Sequence, residues 1–251
     1  MDNIAILSPH FDDGVLSCGE LIKRNVNGFR DTTLITVFGG YPHKNDLSSA
    51  ARQYHSNCFL SDDAMEYRRN EDKNACDYLG CKFKHLDYYE CLYRKDKNGR
   101  QIYPHLSDIY HLAEADDEYC TLLERELLDV LEQYTIVYAP LGIGGHADHI
   151  LLSKVIKRIA QGKNVYFYED VPYLGYDTDF ARSFNLQDMT PVIEVFSNSE
   201  WEAKVNAILY YRSQLHIMWK NEYERILLLR KISFSYGEKH SLRFWKMKDE
   251  S

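Results

Sequence analysis

Short apolar, β-rich runs alternate with amphipathic segments along most of this 251-residue chain. That alternation constrains the fold more than any other feature. Residues 3–7 read as a buried strand, Thr32 to Phe38 as a β-branched strand ending at Gly39-Gly40, and residues 82–87 as a third. Tyr134 to Ala139 reads as a fourth, stopped by Pro140, with Val165 to Tyr168 and Pro191 to Val195 as two more. Between them, Val15, Leu16, Leu21 and Ile22 have helical spacing behind Asp12-Asp13, which stand where caps belong. Ser61-Asp62-Asp63 caps a helix running to Leu79 and stopped by Gly80. Residues 119–133 form a helix with Leu122, Leu123, Leu127, Leu128 and Leu131 on one face, and another helix runs to about Ile159. Residues 199–213 and a segment around 220–230 also read as helical, residues 41–60 as loop with some helix, and Tyr88 to Glu118 as a long functional loop. Strands alternating with helices imply an α/β fold with a largely parallel sheet. The best boundary, near residue 185, is weak, so residues 1–251 are expected to form one domain, with about 186–251 completing it.

Charge and cysteine usage narrow the function classes. Lys and Arg total 30 against 38 Asp and Glu, a net charge of −8. A nucleic-acid or anionic-membrane binder needs clustered positive charge, so neither partner is expected. No basic segment precedes a long apolar stretch at the start, and no apolar run reaches membrane-spanning length, so no signal peptide or membrane anchor is expected and the location reads as cytoplasmic. Cys18, Cys58, Cys76, Cys81, Cys91 and Cys120 match no zinc-ribbon spacing and read as reduced, mostly buried thiols. The metal question then rests on the ten histidines.

Two segments carry dense polar chemistry just after a strand: Ser8-Pro9-His10-Phe11-Asp12-Asp13-Gly14 and Gly144-Gly145-His146-Ala147-Asp148-His149. In an open parallel sheet the site lies outside the carboxyl ends of the strands, so central placement of both strands would bring the two loops together. Imidazole and carboxylate in one pocket suit a catalytic divalent metal, with residues left over for acid–base work and oxyanion stabilisation. Taken singly, Asp12-Asp13 reads as a helix cap and His146 with His149 as surface residues at a helix start. Two such loops at matching strand ends are not needed for stability, which favours the functional reading.

At these residues the chain resembles the PIG-L/LmbE-like family of metal-dependent N-acetyl-sugar deacetylases. The family motif His-Pro-Asp-Asp-Glu corresponds to His10-Phe11-Asp12-Asp13-Gly14, and His-x-Asp-His to His146-Ala147-Asp148-His149. Arg68, Glu71, Ala75, Leu79 and Gly80 fit a second family pattern, and Lys204, Ala207 and Ser213-Gln214 a third. Phe11 stands where the family has Pro and Gly14 where it has Glu; neither position is a family ligand. The resemblance implies a Rossmann-like three-layer α/β/α fold and a Zn²⁺ cofactor, with Fe²⁺ able to fill the same ligands. It implies His10, Asp13 and His149 as metal ligands, Asp12 as general base, His146 as the group that stabilises the oxyanion or protonates the amine, and Asp148 as the residue orienting His146. The implied reaction releases acetate and a free amine from an N-acetylated amino sugar, such as an N-acetylglucosamine compound.

Substrate contacts are less legible. Arg68 could reach a sugar hydroxyl or phosphate, or pair with Glu71 or Asp72 on its own helix. Tyr93 and Arg94, with Tyr88 and Tyr89, could meet a sugar face, and Glu169-Asp170 follow the strand ending at Tyr168 and could line the pocket. His43, His55, His85, His105, His111, His216 and His240 belong to no motif. The absence of Gly-x-Gly-x-x-Gly after the first strand and of Gly-x-Ser-x-Gly disfavours a dinucleotide oxidoreductase and a serine hydrolase. A metal- or sugar-binding module without catalysis, and an amidase acting on a larger amide conjugate, remain as alternatives. Free sugar, sugar nucleotide, aminoglycoside, glycopeptide and lipid-linked sugar are all open as substrates.

Overall fold

The computed structural model describes residues 2–61, 63–159, 162–176, 184 and 186–248. The expected boundary near residue 185, and Asp62 of the expected cap, lie outside them. Seven strands form one mixed sheet: β1 (Asn3–Ser8), β2 (Asp31–Thr36), β3 (Lys82–His85), β4 (Ile136–Pro140), β5 (Asn164–Tyr168), β6 (Met189–Val195) and β7 (Ser241–Met247), in the order β3-β2-β1-β4-β5-β7-β6. β1 to β5 are mutually parallel, and β7 runs antiparallel to both β5 and β6. The strands from Met189 onward thus extend the same sheet.

β1 lies inside the sheet next to the central β4, with Ile4 opposite Thr32 on one side and Ile136 on the other. Ile4, Ala5, Ile6 and Leu7 are all buried, the continuous apolar run of a strand covered on both faces. Among the described residues the helices are α1 (Asp13–Asn27), α2 (Ser49–Asn57), α3 (Ala64–Leu79), α4 (Asp117–Leu131), α5 (Ala147–Ile159), the single turn α6 (Tyr173–Tyr176), α7 (Asn198–Ile208), α8 (Arg212–Met218) and α9 (Glu222–Ser233). From β1 the chain moves outward through β2 to β3, then returns past β1 to β4 and moves the other way to β5. Right-handed crossovers therefore put α1 and α3 on one face and α4 and α5 on the other. The packing agrees: α1, α3 and α7 touch one another, and α4 packs on α5. The reversal between β1 and β4 is a topological switch point, where a crevice opens beyond the strand ends.

The structure corrects several local expectations. Leu123, Leu127 and Leu131 of α4 are buried, but Leu122 and Leu128 are exposed. At about 100° per residue, five leucines with that spacing cannot share one face. Residues 199–213 break into α7 and α8 around Leu209–Tyr211, and Pro140 closes β4 as its last residue, paired with Tyr168. β7 was not expected as a strand. The long loop before α4 is irregular with short 3₁₀ turns at Cys91–Tyr93, Leu106–Tyr110 and Glu114–Asp116. No helix among the described residues is long and apolar enough to cross a membrane.

Candidate active site

The loop after β1 is held by its own polar groups. Ser8 Oγ accepts the Gly14 N–H at 2.7 Å, and Asp13 Oδ2 accepts the His10 N–H at 2.8 Å. Asp12 occupies the N-cap position of α1, yet its side chain makes no capping hydrogen bond. Gly14 leaves no room for a side chain: a Cβ there would stand 2.4 Å from Leu34 Cδ1 and 3.1 Å from Ser8 Oγ. Phe11 is buried beneath the Arg68 guanidinium, 5.4 Å from its ring centroid.

The loop after β4 turns through Gly142 and Gly144, both in the left-handed region, at φ 99° and 88°. A Cβ on Gly144 would meet the Tyr173 ring at 2.4 Å. Asp170, just beyond β5, anchors this loop by accepting the Gly142 and Ile143 N–H groups at 2.8 and 2.9 Å. Its other oxygen meets His149 Nδ1 at 2.7 Å. That bond aims His149 Nε2 inward, 3.1 Å from Asp13 Oδ2.

The two loops meet as the sequence implied. His10 Nδ1 also lies 3.1 Å from Asp13 Oδ2, and nitrogens of His10, His146 and His149 fall within 4.8 Å of one another. His149 Nε2 is buried and has no hydrogen-bond partner among the described residues. An orphaned imidazole nitrogen facing a carboxylate oxygen is a mark of a cation site. The buried charges agree: Asp12, Asp13, Glu90, Asp116, Asp148 and Asp170 lie here with Arg68 and Arg94 as the two guanidinium groups, and the proton affinity of His10 and His149 is raised by the excess of carboxylates. His10, Asp13 and His149 therefore fit a bound divalent cation.

The ionisation of these groups follows from burial and from one another. Burial would raise Asp13, but His149 and His10 beside it hold its carboxyl well below the usual range. Burial would lower His149, but Asp13 and Asp170 carry it up to about 9. Asp12 differs: burial, together with the neighbouring Asp13 charge, pushes it up to about 6, only partly opposed by Arg68. Burial, and then the charge of His10, drive His146 well below its ordinary value. The Asp148 N–H points to His146 Nδ1 at 3.3 Å, so in the neutral ring Nε2 carries the proton.

Asp148 corrects one expectation. Its carboxylate does not pair with His146. Oδ2 meets His10 Nε2 at 2.9 Å and the Cys91 N–H at 3.0 Å, while Oδ1 accepts from Arg94 at 2.5 Å. Asp148 positions His10 through its side chain and His146 through its main chain.

A cavity of about 500 Å³ opens over these groups, lined by His10, Asp12, Asp13, Arg68, Glu90 and His146. Arg68 lines it as expected, but its ion pair is with Glu90 at 2.6 Å rather than with Glu71 or Asp72, and Asp12 lies 3.9 Å away. Of the other expected substrate contacts, none lines this cavity. Tyr93 bonds His55 at 2.7 Å, and Arg94 joins Asp148 to Asp116; both face a neighbouring cavity of about 690 Å³. Glu169 is engaged by Arg243, Trp245 and Tyr236, and Asp170 holds His149. They are supports, because each carboxylate or guanidinium is already matched by ion-pair or hydrogen-bond partners. Glu90, Tyr54 and Tyr110 also form the wall of the cavity over His10 and belong to no motif, while Tyr173, another wall residue, closes the run Tyr168-Glu169-Asp170-Val171-Pro172-Tyr173, which resembles a Tyr-Glu-Asp-x-Pro-Tyr segment of some family members. Gln214, on the wall from α8, was flagged by its Ser-Gln signature.

Comparison with known proteins places this architecture in context. The family model PIG-L, described as GlcNAc-PI de-N-acetylase, matches residues 5–160. A 2'-N-acetylparomamine deacetylase of Niallia circulans is 30% identical over 235 residues, covering 87% of this chain and 82% of that protein. The 2'-N-acetylparomamine deacetylase of Streptomyces fradiae is 27% identical, covering 83% of this chain and 72% of its own. Among solved structures, the zinc-inhibited form of teicoplanin deacetylase Orf2 superposes with a TM-score of 0.86 at 23% identity, over 99% of this chain and 100% of that one.

Proposed function

This chain belongs to the PIG-L family of metal-dependent deacetylases, and on that premise we propose that it removes the N-acetyl group from an amino-sugar glycoside, releasing acetate and a primary amine. Zn²⁺ is the cofactor of this reading, held by His10, Asp13 and His149. When bound there, the cation supplies Lewis acidity and a nucleophilic water at neutral pH. The chain's own groups do the rest. Asp12, buried yet free of a capping bond, takes the proton of the attacking water on its carboxylate. Its raised proton affinity makes it a better base than an exposed aspartate. Neutral His146 donates through Nε2 to the developing oxyanion. The proton on Asp12 then passes to the departing nitrogen, which leaves as the amine.

The convergence of the Asp12 and His146 loops on one cavity is the observation that carries this reading. Pure binding needs neither a buried carboxylate without a capping bond nor a neutral imidazole beside the cation ligands. Substrate choice rests on the relatives and on the wall chemistry. The Niallia and Streptomyces relatives are named for 2'-N-acetylparomamine. Here Tyr54, Tyr110, Tyr173 and Tyr176 supply ring faces, and Glu90 with Arg68 supplies hydrogen-bonding charge. An N-acetylated aminoglycoside is therefore the substrate class proposed. Acetate release from a panel of N-acetylated aminoglycosides, N-acetylglucosamine and N-acetylated peptides tests it. Hydrolysis confined to the sugars is the expected result, and a preference for the peptides overturns the substrate class.

A further inference from the structure

Cys91, set aside with the other cysteines on spacing, lines the catalytic cavity and is buried. One donor atom each from Cys91, His146 and Asp148 lie within 4.8 Å of one another. The three come from the 3₁₀ turn Cys91–Tyr93, the loop residue just before α5 and the first turn of α5, and the Cys91 N–H bond to Asp148 ties the two segments together. The cysteine side chain has no part in the hydrolysis derived above.

We propose that Cys91, His146 and Asp148 form a second cation site, selective for thiophilic divalent ions such as Zn²⁺, Cd²⁺ and Co²⁺, whose occupation withdraws His146 from the reaction and inhibits the enzyme. The inhibition rests on the role given to His146; the binding does not. The donor set is the argument for selectivity. Sulfur, nitrogen and oxygen together favour softer ions than the nitrogen–oxygen set of His10, Asp13 and His149. Asp148 retains a lone-pair position after its bonds to Arg94, His10 and Cys91.

Electrostatics supports a second cation as well. With one divalent ion in place, Asp12, Asp13, Glu90, Asp116, Asp148 and Asp170 still outnumber the positive charges of that ion, Arg68 and Arg94. Burial and Asp148 push the Cys91 thiol up, so without a cation it keeps its proton. On binding, the S–H bond breaks and its proton leaves to solvent, while the imidazole proton moves from Nε2 to Nδ1 at the expense of the Asp148 N–H contact; sulfur–metal and Nε2–metal bonds form, and nothing is oxidised or reduced.

The test adds Co²⁺ to protein already holding one equivalent of Zn²⁺ and follows near-ultraviolet thiolate-to-cobalt charge transfer alongside bound-metal stoichiometry. The expected result is a second equivalent that brings in the band, with acetate release falling in step. Cys91→Ser should keep the first equivalent, lose the band, and raise the Zn²⁺ concentration for half-inhibition by at least about tenfold. A single equivalent without the band, or a band that persists in Cys91→Ser, overturns the site. A thiolate-bound second ion that leaves acetate release unchanged overturns the inhibition. Cadmium NMR on the unmodified chain removes any dependence on the variant's folding. It should give two resonances, one shifted downfield by sulfur, and a single resonance at excess Cd²⁺ contradicts the proposal. If no acetate is released under any metal condition, the deacetylase reading fails while the cobalt titration still decides the site.

Discussion

His10 and Asp148 meet at 2.9 Å, Nε2 to Oδ2, although 138 residues separate them and each follows a different central strand. That bond joins the two halves of the site. It also leaves His10 Nδ1 as the nitrogen facing Asp13. Partners that orient a ligand in this way typically change metal affinity by about 10–100-fold when removed. Asp148→Asn should weaken metal binding by that factor in a chelator competition while the chain stays folded, because Arg94 keeps its 2.8 Å pair with Asp116. Unchanged affinity would mean that His10 needs no such support.

The raised value of Asp12 sets the acid side of the pH profile. The base must be ionised, and its carboxyl titrates at about 6 in the metal-free chain. A cation beside it favours the carboxylate and moves that value down. Values of kcat/KM should therefore fall as pH drops below about 6 and show no acidic limb above it. A limb centred above pH 7 would assign the base to another group.

The same shift has a cost in stability, with a definite sign. The folded value of Asp12 lies above the ordinary carboxylate value, so ionisation is harder in the folded chain than in the unfolded one. Its contribution to stability is present below about pH 4 and is lost as pH rises through about 6. Metal-free Asp12→Asn should accordingly unfold at a higher temperature than the parent at pH 7, and the gap should close toward pH 4. Equal Tm values at pH 7 would show that Asp12 is not strained by burial.

Gly14 gives a prediction that runs against the family pattern. Since a Cβ there would stand 2.4 Å from Leu34 Cδ1, Gly14→Ala should cost about 1–3 kcal/mol by overpacking, and Gly14→Glu should not restore anything. Denaturant unfolding measures it. A neutral Gly14→Ala would mean that β2 yields more easily than its burial implies.

Much of this site was legible in the sequence because its chemistry is local. His10 to Asp13 and His146 to His149 are two dense runs, and strand–loop–helix order placed both at strand ends. What was not legible depends on distant pairing. Nothing near Glu169 announces Arg243 and Trp245 as its partners, and nothing near Asp170 announces His149. From sequence alone both therefore read as pocket residues. Arg94 reads as a substrate contact for the same reason, since its carboxylates, Asp116 and Asp148, lie in other elements. β7 escaped notice because Arg243 and Lys246 interrupt its apolar residues, and only pairing with β5 and β6 gives the segment its strand form. The spacing of Cys91 from the other cysteines says nothing of its turn, whose N–H bonds Asp148 at the start of α5.

Separating ligand from base tests the central claim most directly. Bound zinc and acetate release should be measured together on Asp12→Asn and His149→Ala. The account predicts that both lose activity, Asp12→Asn by about 10²–10⁴-fold, while Asp12→Asn retains one equivalent of zinc and His149→Ala retains none. Full zinc in His149→Ala, or parental turnover in Asp12→Asn, would contradict it.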